Sequence, residues 1–423
     1  MTRARAGGAR TARTSAPDHS AFPALDGIRA LAVAAVVATH AAYATYRYGR
    51  GPGAGLLVHL DSGVALFFVI SGFLLCRPWL LAAARGEASP QVRVYLWRRA
   101  LRILPAYWVA LTFAFVTLQD NRDVGLPDIA RHLGFAQIYR FGWMRAGLTQ
   151  TWSLCTEVAF YLVLPFLGAA AIAVTRRIGW RPGVLLGLCG LLGAITVGWL
   201  VWTHANGWAL FGTANLWLPG YLTWFAGGMA MAVLEVHLAT RPVARHGRWR
   251  AAATLGASPG VCWLVAAGLF LVAATPVDGP YTVGFATTTQ AIVRNLLYTA
   301  FAMLVVWPAV FGPRTWASAV FANRPMRWLG DISYGVFLLH LVVLDGVMHL
   351  LGYPLWTGSA TAVFLLTCAG TVPLAALLFR YVERPANSLR RLVPARPRLA
   401  APGGAQAAPA EPAAPRAAGA STP

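Results

Sequence analysis

The feature that most constrains this chain is the recurrence of apolar stretches, each long enough for the roughly 20 residues a helix needs to cross about 30 Å of hydrocarbon. Ten can be counted, near 26–46, 63–82, 103–119, 152–175, 183–203, 214–234, 259–276, 291–311, 330–350 and 359–381. With 57% hydrophobic and only 12% charged residues, the chain carries more apolar surface than a water-soluble globule can hide, so the surplus must face lipid. Seventeen Trp and 13 Tyr fit this picture, because amphipathic rings settle at the two membrane interfaces. The expected fold is all-α: a polytopic membrane helix bundle of about ten transmembrane helices.

The formal charge, 35 basic minus 14 acidic residues or +21, would suggest nucleic acid in a soluble protein, and its distribution argues against that. The arginines cluster between apolar spans, at Arg3–Arg13, Arg93–Arg102, Arg176–Arg181, Arg241–Arg250, Arg314–Arg327 and Arg380–Arg398. With an even number of spans and a cytosolic N-terminus, every cluster falls on the cytosolic side, as the positive-inside rule requires. Both termini are then expected to be cytoplasmic in a multi-pass protein of the plasma membrane. The first apolar run lacks a small-residue cleavage site and is read as a retained span. Three regions are expected: a basic disordered cytosolic tail over 1–21, a membrane domain over 22–386, and an Ala/Pro-rich disordered cytosolic tail over 387–423. The five cysteines stand singly in apolar segments, without metal-ligand spacing, and read as small buried hydrophobes. No metal and no bound cofactor is expected.

Ionisable groups inside spans cost several kcal/mol and are functional candidates by default. They comprise Arg29, His40, Glu157 and His340, with Asp345 and His349 near a span end and Glu383-Arg384 closing the last span as a local ion pair. Arg29 and His40 are eleven residues apart, a separation that places them on one helical face about 16 Å apart in depth. Asp26 is placed to cap that helix. Glu157 follows Thr151-Trp152-Ser153-Leu154 and lies about 9 Å into a helix entering from the other side, at the depth expected for His40. The expectation is that the two meet, the carboxylate orienting the imidazole for proton transfer from a hydroxyl. Arg98, Arg99 and Arg102 put three guanidinium groups within five residues, a grip for phosphates, although such a cluster by itself more often only anchors topology. Phe67-Phe68-Val69-Ile70-Ser71-Gly72-Phe73 is equally a small-residue contact between helices.

Taken in order, these segments resemble the acyltransferase 3 family of multi-spanning membrane O-acyltransferases. The matching pieces are Leu25-Asp26-Gly27-Ile28-Arg29-Ala30 with His40, Phe67 through Phe73, Arg98 through Pro105, Thr151-Trp152-Ser153-Leu154 with Glu157, Ser333-Tyr334 with His340, and Val382-Glu383-Arg384-Pro385. They cover residues 22 to 386. The resemblance implies transfer of an acetyl or other short acyl group from acyl-CoA, as donor substrate, to a hydroxyl of a sugar-containing acceptor: an envelope glycan, a glycolipid or an antibiotic glycoside. It implies His40 and Glu157 as catalytic residues, Arg29, Arg98, Arg99 and Arg102 as donor-binding residues, and Ser71, Trp152, Ser153, Tyr334 and His340 as residues lining the site. Some relatives carry an extra extracytoplasmic domain for which this chain has no room, which favours a membrane domain acting alone. Whether His40 acts as a general base or carries the acyl group stays open at this point.

Two other classes compete with this reading. A proton-coupled transporter would use His40, Glu157 and His340 as a relay. A membrane scaffold or export component would tolerate loss of His40.

Overall fold

The computed structural model describes residues 22–51, 53–208, 213–241, 249–279, 286–313 and 316–394. Among them every regular element is helical. Helix α1 (Ala24–Ala44) leads through a short α2 (Ala54–Val58) into α3 (Gly63–Arg85), followed by α4 (Val92–Thr117) and a loop helix α5 (Leu126–Leu133). Then come α6 (Trp152–Ile178), α7 (Pro182–Ala205), α8 (Leu222–Thr240), α9 (Arg250–Gly256), α10 (Pro259–Ala273) and α11 (Thr288–Phe311). Helices α12 (Trp316–Ala322), α13 (Arg324–Leu350), α14 (Ala360–Leu378) and α15 (Arg384–Ser388) complete the order. Among the described residues nine helical segments are long and apolar enough to cross a membrane, and α9 with α10, bent by 84°, make a tenth if the pair is one span. The chain is a multi-pass helical membrane protein.

Where the helices start differs from the hydropathy reading in three places, each for a local reason. The third crossing, expected from residue 103, begins at Val92, because the arginine-rich stretch Arg93–Arg102 stays helical and carries its charges beyond the apolar part of the bundle. The sixth, expected from 214, begins at Leu222, because Leu218-Pro219-Gly220-Tyr221 first forms a tight 3-10 turn with Pro219 in its opening position. The ninth, expected from 330, begins at Arg324, where the Asn323 side chain accepts the Met326 backbone N–H at 2.8 Å. Asp26 does not cap α1. The helix already starts at Ala24, and Asp26 instead faces Arg29 at 3.6 Å.

At the centre of the bundle α3 packs against α8 with backbones nearly touching. A Cβ added to Gly72 would sit 2.2 Å from the Phe225 carbonyl oxygen, and one on Gly228 would sit 2.0 Å from that of Val69. This close approach is what the small residues of the Phe67–Phe73 segment are for. Phe225 is sandwiched between Phe68, with centroids 4.4 Å apart, and Phe160, at 4.0 Å. Below them Arg77 of α3 binds Glu235 of α8 at 2.7 Å, a charge pair closed over by the packed helices. Helix α1 lies against α3 and α13, so Arg29 and His40 are held against the interior.

The last crossing does not stop where the sequence suggests. Helix α14 passes through a π-helical turn, Phe379–Glu383, into α15 and a 3-10 turn, Leu389–Leu392, so the boundary expected at 387 falls inside a helical segment. The Trp97 indole N–H donates to the Leu389 carbonyl at 3.2 Å and ties this segment to α4. The tails expected at 1–21 and beyond 394 lie outside the described residues. Four of the five cysteines are buried and Cys368 is partly so.

Candidate active site

A cavity of about 1690 Å³ enters the bundle from the end where the arginines lie. Helix α1 contributes Arg29, α3 contributes Ser71, α4 contributes Arg98, Arg99 and Arg102, α6 contributes Ser153 and Glu157, and α13 contributes Tyr334. Eight of the eleven site residues expected from the sequence therefore share one chamber. His40, His340 and Trp152 are not on its wall.

Arg29 is pinned by geometry rather than by one strong ion pair. Asp26 stands 3.6 Å from it, and Arg102, Tyr161 and Glu157 all lie within electrostatic reach. Arg102 is held in turn by Glu383 at 3.7 Å, a carboxylate whose own side chain is fully buried. The ion pair expected between Glu383 and Arg384 is thus replaced by one reaching across to α4. The reason is the π-helical turn, which rotates Glu383 inward while Arg384 stays exposed. Ser153 donates to the Gln150 carbonyl at 3.2 Å and Tyr334 to the Ile103 carbonyl at 3.0 Å, so both serve also to fix the wall.

Glu157 is bound on one oxygen by two hydroxyls. Ser71 donates to Oε1 at 2.5 Å and Tyr161, one turn further along α6, donates to the same atom at 2.6 Å. This corrects the expected contact between Glu157 and His40, which is not among the described hydrogen bonds. Depth along the helices was estimated correctly enough to bring both into the interior. The azimuth was not, and α3 supplies the hydroxyl that takes the carboxylate.

His40 meets a second histidine instead. Its Nδ1 lies 2.8 Å from the Val36 carbonyl oxygen and 3.4 Å from Nε2 of His340. The rings stand 5.1 Å apart and are tilted by 60°. His340 places its own Nδ1 2.8 Å from the Phe337 carbonyl and 3.2 Å from that of Val336. A carbonyl can only accept, so each Nδ1 carries a proton, and Nε2 of each neutral ring is left with its lone pair. On His340 that lone pair faces His40. On His40 it meets no described partner, so one imidazole is steadied by backbone and by the other ring, with its Nε2 left to take a proton.

The two compartments meet at aromatic rings. Phe67 and Phe337 line the inner part of the cavity, with centroids 6.5 Å apart. Phe337 also stands 6.1 Å from the His340 ring, one helical turn further along α13. Beyond the histidines lies a further polar group absent from the expected set: Asp61, which accepts the Tyr298 hydroxyl at 2.5 Å and is within electrostatic reach of His40. Trp152 belongs to this side, with its ring tilted by 36° against Tyr221 at 5.0 Å, and Tyr221 packs on Trp224 at 4.7 Å. Tyr161 and Asp61 were missed because neither stands out by hydropathy. Tyr161 follows Glu157 by the four residues that put two side chains on one helical face, and that spacing was the available signal. Asp345 and His349, by contrast, pair with each other at 3.6 Å on an exposed surface.

Known proteins resemble this chain along most of its length. Over 395 residues the chain is 24% identical to peptidoglycan O-acetyltransferase OatA of Listeria monocytogenes, a match covering 88% of this chain and 57% of that protein. It is 26% identical to nodulation protein 10 of Rhizobium leguminosarum, over 79% of this chain and 84% of the relative. It is 29% identical to acyltransferase MdmB of Streptomyces mycarofaciens, over 87% and 92%. No solved structure matches the chain. The family model described as an acyltransferase domain matches residues 22–380, and the chain belongs to the acyltransferase 3 family.

Proposed function

We propose that the protein is a membrane O-acyltransferase that moves an acetyl or other short acyl group from acyl-CoA to a hydroxyl of a sugar-containing acceptor. The single observation that carries this reading is that α1 bears both ends of a route: Arg29 in a cavity walled by arginines, and His40, eleven residues further along, with a free Nε2. Family membership supports the reaction class. The name of the Listeria relative supports a glycan as acceptor.

In this reading the basic end of the bundle is cytosolic, by the positive-inside rule, and both termini lie on that side. Phosphates of CoA bind Arg98, Arg99 and Arg102, whose planar forks suit phosphate oxygens. Arg29 and Glu157, the latter held by Ser71 and Tyr161, face the pantetheine arm, whose amides can both donate and accept. The thioester then reaches past Phe67 and Phe337 toward His40. Nε2 of His40 takes the proton of the acceptor hydroxyl, and the oxygen attacks the thioester carbonyl. The carbon–sulfur bond breaks, and the CoA thiolate recovers the proton from the imidazolium. His340, through its lone pair on His40 Nδ1–H, fixes the tautomer and spreads the positive charge that forms. Asp61 supplies the nearby negative charge that the sequence reading assigned to Glu157. With Nδ1 of His40 committed to Val36, the same Nε2 lone pair serves a general base or a carried acyl group, and trapping an acyl-histidine adduct in a single turnover separates the two.

The test is turnover by purified protein in lipid nanodiscs, given acetyl-CoA and a panel of glycan and glycoside acceptors. Free CoA should appear only when acceptor is present, and His40→Ala should abolish it while retaining the elution profile and thermal transition of the parent. Release of CoA without acceptor, or none with any acyl-CoA, overturns the reading. Uptake of a solute without thioester turnover would establish the transporter class instead.

A further inference from the structure

The cavity mouth carries more positive charge than the residues assigned to donor binding explain. Eight arginines line the cavity, and only two carboxylates, Glu157 and Asp331, do so with them. The arginines fall into two tiers. Arg29, Arg99 and Arg102 are partly buried, whereas Arg93, Arg98, Arg384, Arg390 and Arg391 are exposed at the rim. Like charges gathered around one opening repel each other and focus a positive field into it, so the arrangement suits an anion of several charges. Topology alone does not require this. A cytosolic anchor needs positive charge anywhere near a helix end, while these side chains converge from two segments almost 300 residues apart in the chain.

That convergence is built. The Trp97 indole donates to the Leu389 carbonyl at 3.2 Å, which fixes the turn Leu389–Leu392 against α4. Glu383, directly before α15, reaches Arg102. The stretch from Glu383 to Leu389 is therefore attached to α4 at both of its ends, and Arg390 and Arg391, directly after it, line the same cavity as Arg93 and Arg98. On α4, Arg93 and Arg102 are nine residues apart, about 13 Å at 1.5 Å per residue. The cavity thus offers charge at its rim and again well inside, and a ligand with phosphates at one end and a neutral arm would use the two tiers differently.

We propose that the turn Leu389–Leu392 is the second half of a phosphate clamp, in which Arg390 and Arg391, opposite Arg93 and Arg98, bind the phosphates at the nucleotide end of a CoA-class thioester. The inference rests on the reading of acyl-CoA as donor and extends it to a segment with no assigned role. The 3′-phosphate and the pyrophosphate together bring about four negative charges, which offsets most of the excess at the rim. Inside the rim, Arg99 and Arg102 share the pyrophosphate with Arg98, and Arg29 is left for the pantetheine arm. In this arrangement the end of the last crossing belongs to the donor site.

The experiment compares R390A/R391A with the parent protein in nanodiscs, using acetyl-CoA, 3′-dephospho-acetyl-CoA and S-acetylpantetheine as donors. The expected result is a KM for acetyl-CoA raised about 10- to 100-fold, with most of the loss in KM rather than kcat. The increase should be smaller for the dephospho donor and absent for acetylpantetheine, which has no phosphates there. R390K/R391K should recover most of the affinity, which a merely structural role for the turn would not produce. An unchanged KM for acetyl-CoA overturns the clamp while leaving the donor reading intact. Equal loss with all three donors, at a lowered thermal transition, also overturns it by showing the turn to be structural. If the parent protein neither turns over acetyl-CoA nor binds CoA in calorimetry, the donor reading fails and the clamp fails with it.

Discussion

The two halves of α1 face different chemistries. Around Arg29 the interior is wide, charged and open, with arginines from three segments and a carboxylate held by two hydroxyls. Around His40 two imidazoles meet, each held by backbone carbonyls, with Asp61 within electrostatic reach. The difference shows how a single helix can separate binding from chemistry. A polyanion needs many exposed donors and tolerates water, whereas a base that must deprotonate a hydroxyl gains from a fixed tautomer and few competing partners. Phe67 and Phe337 stand between the halves.

Substitutions should respond according to the half they touch. The largest effect is expected from His40→Ala, a loss of about 10²- to 10⁴-fold in kcat, the range of general-base catalysis, with the KM for acyl-CoA little altered. Measuring both constants in nanodiscs checks this, and a loss residing in KM would mean that His40 belongs with the cavity. Next comes R99A/R102A, with about a 10- to 100-fold increase in KM for acyl-CoA and a dependence on salt weaker than that of the exposed rim arginines, since partly buried charges are screened less. A kcat-only effect there would break the division. His340→Ala should lower kcat about tenfold by freeing the His40 ring, and His340→Asn, which can still offer an acceptor, should recover part of it. If His340→Ala left kcat unchanged, the ring-to-ring contact at 3.4 Å would be incidental.

The fold was largely legible because lipid imposes a simple demand. Twenty apolar residues per crossing and basic flanks locate nine of the ten expected crossings as single helical segments, the tenth, near 259–276, counting only if the bent pair α9 and α10 is one span, and errors arose where polar residues stayed helical, as in Arg93–Arg102. The cavity residues were also legible, since buried ionisable groups are rare in such a chain. What could not be read was which groups touch. Depth follows from counting residues at 1.5 Å each, but the rotation of α6 about its axis depends on its packing against α3, where Ser71 meets Glu157. A modest rotation sends Glu157 to Ser71 instead of His40. His340 was placed among the lining residues for its family position. Its contact with His40 joins residues 300 positions apart, and no local pattern encodes that.

The smallest effect expected is on the support of the histidine half from outside. The chain between α4 and α6 is held by Arg145, which bridges Asp123 at 3.3 Å and Asp128 at 2.7 Å. It reaches α13 through Gln150, whose amide donates to the Leu338 carbonyl at 2.9 Å, two residues before His340. The hydrogen bond from Arg145 holds the Asp128 carboxyl below its usual range. The sign follows from linkage: a carboxyl with a lowered folded value stabilises the folded loop fully above the unfolded value near 4, and this contribution disappears as pH falls through the folded value. Hydrogen exchange of residues 119–151 should therefore be flat from pH 8 to about 5, after correction for the intrinsic rate, and rise only in stronger acid. Arg145→Ala should raise exchange already at neutral pH and lower kcat a few-fold, with the KM for acyl-CoA unmoved because the loop does not touch the cavity mouth. A change in KM would show that the two halves are coupled through α13 more tightly than their separate chemistries suggest.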